Sequence, residues 1–191
     1  GDRATTRFPQ TRMGVEQVYY DHFYRALEYG KAWDTYNAAC KKVKKGLPMP
    51  LAPRRDLELE TILEILRKER FITCHSYVQS EINMLMHVAD SFNFKINTFT
   101  HILEGYKVAD VMAKHGVGGS SFSDWWAYKY EVYEAIPYNG ALMREQGVVV
   151  DAVSRGEILR ALDSGQSLVE IEDEDANTKR SAGDCSAAGA W

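Results

Sequence analysis

The 191-residue chain predicts an α/β fold built on a parallel sheet. Two observations predict it. From Arg70 onward, short apolar runs alternate with stretches of helical period, and each run is separated from the next by a helix-length segment rather than a hairpin turn. The same region is preceded by two helical stretches and followed by a segment of different composition.

The elements follow in order. Residues 13–45 read as one long helix, with Val15, Val18, Tyr19, His22, Phe23, Ala26, Leu27 and Trp33 recurring at three- and four-residue steps. The proline-rich stretch 46–53 breaks any helix and makes a surface loop. Asp56 is placed to N-cap a helix through Glu69, with Leu57, Leu59, Ile62, Leu63, Ile65 and Leu66 on its buried side. Residues 71–74 form a short strand. A helix over 79–92 follows, with Ile82, Leu85, Met86 and Ala89 as its apolar face. Residues 95–100 are strand again, 106–115 helix, and 117–122 a glycine-rich strand. A polar-aromatic loop over 123–129 leads to a helix over 136–146. Gly147 punctuates it, and Val148-Val149-Val150 opens a fourth strand. Residues 154–162 suit a helix, whereas the acidic, then small and polar composition beyond Gln166 suits a disordered tail.

The totals narrow the class. A formal charge of −4, with both signs mixed, argues against a general nucleic-acid binder. No stretch approaches the roughly 18 apolar residues of a membrane span. Three cysteines, Cys40, Cys74 and Cys185, have no metal-type spacing and fit reduced thiols in a cytoplasmic protein. The polar first residues lack a signal-peptide core, and the chain, which does not begin with Met, is expected to be a piece of something longer.

The chemistry concentrates on two histidines. His75 ends the first strand-like run and His101 ends the second. In parallel α/β folds functional groups sit at the carboxyl ends of strands, and neighbouring strands lie about 4.8 Å apart. Two imidazoles there are placed to share one divalent ion, zinc above all. The bland alternative is a pair of hydrogen-bonded loop histidines. His22 and His87 fall inside helices at expected packing faces, and His115 sits beside a helix C-terminus, where positive charge is favoured. Glu104 and Asp124 lie on the same predicted side as candidate proton-transfer groups; their alternative role is helix capping. Trp125, Trp126 and Tyr128 either wall a pocket or merely cover its mouth. A P-loop, a dinucleotide fingerprint and a Gly-x-Ser-x-Gly elbow are all absent.

Four stretches, "RFPQTRMGVEQ", "ITCHSYVQSEI", "FTHILEGYKVAD" and "GGSSFSDWWAYKYEVYEAIPYN", together resemble the metal-dependent amidohydrolase superfamily, in its imidazolonepropionase-related branch. The similarity covers residues 8–150. The resemblance implies a TIM-type (β/α)8 barrel in which a metal-activated water hydrolyses amide or related C–N bonds. It matches His75 and His101 to the metal-ligand histidines that end the fifth and sixth barrel strands. It also places Glu104, Tyr106 and Lys107 in the segment that lines the site. With Tyr77 and Trp125, Tyr106 and Lys107 form the expected substrate-binding set.

Two departures stand beside the matches. The family's first-strand His-x-His pair occurs nowhere in this chain, and Asp151 comes too early for the family's eighth-strand aspartate.

The expected fold is therefore a partial TIM-type (β/α)8 barrel with a long N-terminal helix and a poorly ordered C-terminal tail, divided into a barrel-like domain over 1–165 and a tail over 166–191. The expected function is that of a fragment of a metal-dependent hydrolase acting on a small-molecule substrate, with neither a nucleic acid nor a membrane as partner. The alternative is a non-catalytic remnant or interaction module that keeps barrel packing without a working metal site. A third reading gives the chain a complementing partner that supplies the missing strands, or association with itself.

Overall fold

The structure is a computed structural model that describes residues 8–122, 126–127 and 129–152. The helix expected over 154–162 and the tail expected over 166–191 lie outside the described residues. The chain falls into two compact units, one drawn from Gly1–Ile72 and Met84–Lys95, the other from Thr73–Asn83 and Ile96–Trp191.

The first unit is led by helix α1 (Arg12–Lys42), whose N-cap Thr11 accepts a hydrogen bond from the Gly14 amide through its Oγ1 at 3.0 Å. Its fully buried residues are Phe23, Ala26 and Gly30, a narrow stripe at helical spacing. Phe23 packs against Phe92 and Phe94, with centroids 5.1 and 4.8 Å away. Val15, expected inward, is exposed. Helix α2 (Leu57–Leu66) starts where its cap predicts, since Asp56 Oδ1 accepts from the amides of Glu58 and Leu59, both at 3.1 Å. Leu59 is buried, but Leu57, also expected on the buried side, is exposed. Two residues turn about 200° around a helix, so the two leucines face opposite ways.

Helices α1 and α2 approach closely at Gly30, where a Cβ would stand 2.8 Å from Leu63 Cδ1. A polar knot joins them alongside. Glu60 accepts from Arg55 Nε and Nη2 at 2.8 and 2.7 Å, and from the Tyr29 hydroxyl at 2.9 Å. Those bonds, the Arg55 pair first, hold the Glu60 carboxyl down to a pKa of about 2.

The second unit carries the sheet: β1 (Thr73–His75), β2 (Thr98–Thr100), β3 (Gly118–Ser121) and β4 (Val150–Ala152). All neighbours are parallel, and the spatial order β1-β2-β3-β4 is the chain order. Helices α3 (Gln79–Ser91), α4 (Ala109–His115) and α5 (Asn139–Glu145) make the crossovers. Each crossover advances one strand in the same direction, and within the second unit right-handed connections send α4 and α5 to one face. On that face Phe99 and Val150 are buried. Gly119 makes room there for α5, because a Cβ on it would stand 3.1 Å from Ile102 and 3.4 Å from Met143.

The element bounds shift from expectation for local reasons. β1 begins at Thr73, leaving Phe71 83% exposed. The helix expected over 106–115 is a 3-10 turn at Gly105–Lys107 followed by α4, which ends at Gly116 with φ 80°. The helix expected over 136–146 begins only at Asn139, since Pro137 disfavours helical backbone at Ile136. His87 is exposed, on the side of α3 opposite Ile82, Leu85, Met86 and Ala89, and is no packing residue. Among the described residues no helix is long and apolar enough to cross a membrane.

Candidate functional site

The two strand-end histidines meet. Their ring centroids are 4.5 Å apart, with the planes inclined by 44°. Strand register alone would not bring them together. His75 pairs with Thr100, so His101 lies one residue further along β2, where strict alternation would turn its side chain to the opposite face. The backbone of His101 breaks that alternation. It adopts φ 57°, in the left-handed region, at a cost of about 1–2 kcal/mol for a residue with a side chain.

Both rings are held by aromatic neighbours. His101 stacks on Phe122, centroids 4.2 Å apart and planes 9° from parallel. His75 meets the Tyr77 ring edge-on at 4.7 Å. Lys129 closes this side, with its Nζ 4.3 Å from the Tyr77 centroid and donating to the Tyr77 hydroxyl at 3.2 Å. Burial first, then the charges of His75 and Lys129, lowers the His101 pKa below the ordinary imidazole value. The neutral ring, which is the form that ligates metals, is thereby favoured.

The loops after β1 and β2 are tied together by their backbones. The Ser76 amide donates to the Thr100 carbonyl at 3.1 Å and the Glu104 amide to the Tyr77 carbonyl at 3.0 Å. Glu104 adds a third tie: its buried carboxylate accepts from the Gln79 amide, at the start of α3, at 3.0 Å. It also pairs with Lys107 Nζ at 3.2 Å. The geometry of Glu104 is that of a cap and a bolt between two loops, with its oxygens directed to those partners.

The other expected residues divide. Tyr77 stands against both histidines. Tyr106 donates from its amide to Asn139 and from its hydroxyl to the Glu134 carbonyl, and Lys107 pairs with Glu134 as well as Glu104. Asp124 and Trp125 lie outside the described residues. The sequence reading missed Phe122, Lys129 and Asn139. Phe122 could have been found as the residue that ends the third strand-like run. Lys129 gives no local signal, and Asn139 looks like a surface residue at a helix start.

The donor set suits a borderline metal ion as far as it goes. Two imidazoles on adjacent strand ends fit as two ligands, since nitrogens sharing a tetrahedral zinc ion stand about 3.4 Å apart. Among the described residues no group of three or more His, Cys, Asp and Glu comes together to hold an ion. Asp151 shares the register row of His75 but lies three strands away, about 14 Å across the sheet. Its carboxylate accepts from Ser120 Oγ at 3.4 Å.

No family model matches the chain. Amidohydrolase tasK of Hapsidospora irregularis is 27% identical over 161 residues, which is 82% of this chain and 16% of the relative. The crystal structure of an amidohydrolase from Thermotoga maritima superposes with a TM-score of 0.67 at 22% identity, over 85% of this chain and 43% of the other. The chain thus spans less than half the length of either protein. The structural likeness carries the fold, a mixed α/β arrangement with a parallel sheet. Both of these similar proteins are amidohydrolases by name.

Proposed function

We propose that the chain is part of a metal-dependent amidohydrolase, in which His75 and His101 supply two ligands of one divalent ion, zinc by the chemistry of the donors. The observation that carries this reading is the meeting of two imidazoles at the carboxyl ends of adjacent parallel strands. The amidohydrolase likenesses support it, and the four motifs favour the imidazolonepropionase-related branch. The singly wound strand order suits four consecutive units of a TIM-type barrel over 1–165, with 166–191 as an appended tail. When bound, the ion would supply a Lewis acid and a water made acidic enough to attack a C–N-linked carbonyl.

The residues of this chain then have separable tasks. His75 and His101 hold the ion, and Phe122 and Tyr77 fix the planes of the two rings. Glu104 keeps the two ligand-bearing loops in register. Tyr77 and Lys129 face the small-molecule substrate. A second reading, a non-catalytic remnant with barrel packing, is favoured by the pairing of only two ligands among the described residues.

Calorimetric titration of the purified chain with zinc tests the proposal. Specific binding should be weak, and His75→Ala and His101→Ala should each abolish it while His115→Ala leaves it unchanged. His115 is a fair control because its Nε2 already receives the Ile96 amide at 3.4 Å. Binding that survives both strand-end substitutions would sink the metal reading and favour the remnant.

A further inference from the structure

The left-handed backbone of His101 and its stack on Phe122 need something to hold them, and the same side chain reaches both. Asn139, the first residue of α5, is fully buried. Its amide nitrogen donates to the Ile102 carbonyl at 2.6 Å and to Ser121 Oγ at 2.8 Å. Its oxygen accepts from the Tyr106 amide at 2.9 Å. One donor thus fixes the residue after His101, the other the residue before Phe122, and the acceptor the turn that follows.

Backbone bonds complete the frame. The peptide ahead of His101 is held through Thr100, whose carbonyl receives the Ser76 amide, and the one behind it through the Ile102 amide, which donates to Ser120 at 3.0 Å. The amide of Asn139 has only one workable orientation. Flipping it would set its oxygen against the Ile102 carbonyl and its nitrogen against the Tyr106 N–H.

We infer that Asn139 is a positioning residue, which holds the His101–Phe122 stack in the orientation that presents the His101 ring to a metal ion. The inference rests on the metal reading of the site. Partners hydrogen-bonded to a ligating imidazole typically change metal affinity 10- to 100-fold when lost, and Asn139 acts one step further out, through the residues on either side of the stack. A strained residue that persists at a functional site needs surroundings that over-determine it. Asn139 supplies two of those constraints from a single buried side chain.

The test uses the whole chain and two variants, Asn139→Asp and Ser121→Ala. Asn139→Asp is nearly isosteric but loses both N–H donors and turns an oxygen toward the Ile102 carbonyl. Ser121→Ala removes the acceptor of one of the two Asn139 donors. The ring proton signals of His101 report the stack, since a ring face-on to Phe122 is shifted upfield by the aromatic ring current. His115, in the same unit but bonded to Ile96, is the internal control.

The expected result is loss of most of the His101 upfield shift in Asn139→Asp and a smaller loss in Ser121→Ala, with His115 unmoved. Zinc affinity should fall by up to about 10-fold in the first variant, the low end of what losing a direct partner of the imidazole costs. If Asn139→Asp fails to fold, Ser121→Ala decides by the same two signals. An unmoved His101 signal in a folded variant overturns the inference, and so does a shift shared equally by His115, which would mean general loosening. A displaced His101 signal in a chain whose wild type takes up no zinc would overturn the metal reading and leave the positioning role standing.

Discussion

Glu104 shows how a carboxylate near a candidate site can be structural in its contacts. Its oxygens face the Gln79 amide and Lys107, and it is only 6% exposed. Removing it takes one of two carboxylates from the half-buried Lys107 ammonium, which keeps Glu134, and leaves a helix-start donor unpaired. Glu104→Ala should therefore lower unfolding free energy by about 1–3 kcal/mol, whereas Glu104→Gln, which keeps an acceptor for Gln79, should lose about half as much. Urea denaturation of the two variants checks this, and equal losses would show that charge, not the cap, is what matters. Two other residues set the response to acid, and both have depressed pKa values. Glu60, held to about 2 by Arg55 and Tyr29, stabilises the fold above the ordinary carboxylate range and loses that contribution as pH falls toward 2. His101 is kept neutral in the fold, so below about pH 6.5 the unfolded chain takes the proton first and stability declines again as pH falls. Acidification should thus weaken the chain in two stages, the upper removed by His101→Gln and the lower by Glu60→Gln. Denaturation midpoints between pH 7.5 and 3 would read it, and a single stage unaffected by His101→Gln would contradict the assignment. Capping was legible as the alternative role of Glu104, but not its partner, because Gln79 lies 25 residues away, and the Tyr29–Glu60 bond spans 31.

At the scale of the element, the seat of α5 depends on two missing side chains. A Cβ on Gly105 would collide with Met143 Sδ and stand 3.0 Å from Ile102 Cδ1, and one on Gly119 would press on the same two residues. Met143 and Ile102 are both fully buried and have nowhere to retreat. Gly105→Ala should cost about 1–3 kcal/mol of stability by overpacking, and trimming the neighbour with Met143→Ala in the same chain should recover part of that loss. Thermal unfolding of the single and double variants measures the coupling; strictly additive losses would mean that Met143 is not the obstacle. The alternation of strand and helix was legible from period and punctuation, as were the Asp56 cap and the buried face of α3. The ends were not. Phe71 has strand composition but stands outside the ladder, and Pro137 delays α5. The sequence placed His75 and His101 at neighbouring strand ends, but not the left-handed turn that brings their rings together, because a histidine carries no signature of positive φ.

For the whole molecule, the open question of energy is what covers the sheet. Parallel sheets are normally buried on both faces. Here one face carries α5, while the row of Thr73, Thr98 and Gly118 and the row of His75, Thr100 and Ser120 remain exposed or half-buried. Among the described residues neither β1 nor β4 has a partner on its outer edge. Exposed apolar residues precede both edge strands in the chain, Phe71 at 83% and Val149 at 67% exposure. Unpaired strand edges flanked by exposed apolar groups template further pairing. The chain on its own should therefore associate, with sedimentation coefficients that rise with concentration in the micromolar range. A charge beside an edge opposes such pairing because it would have to be desolvated, so Phe71→Lys and Val149→Lys should each reduce the association and together suppress most of it. Both positions are outside the ladder and the core, so the substitutions should leave the far-ultraviolet circular dichroism spectrum unchanged. A chain that sediments as one monomer at every concentration, before any such substitution, would show that its edges are already covered, and a requirement for a complementing chain would fall with the prediction.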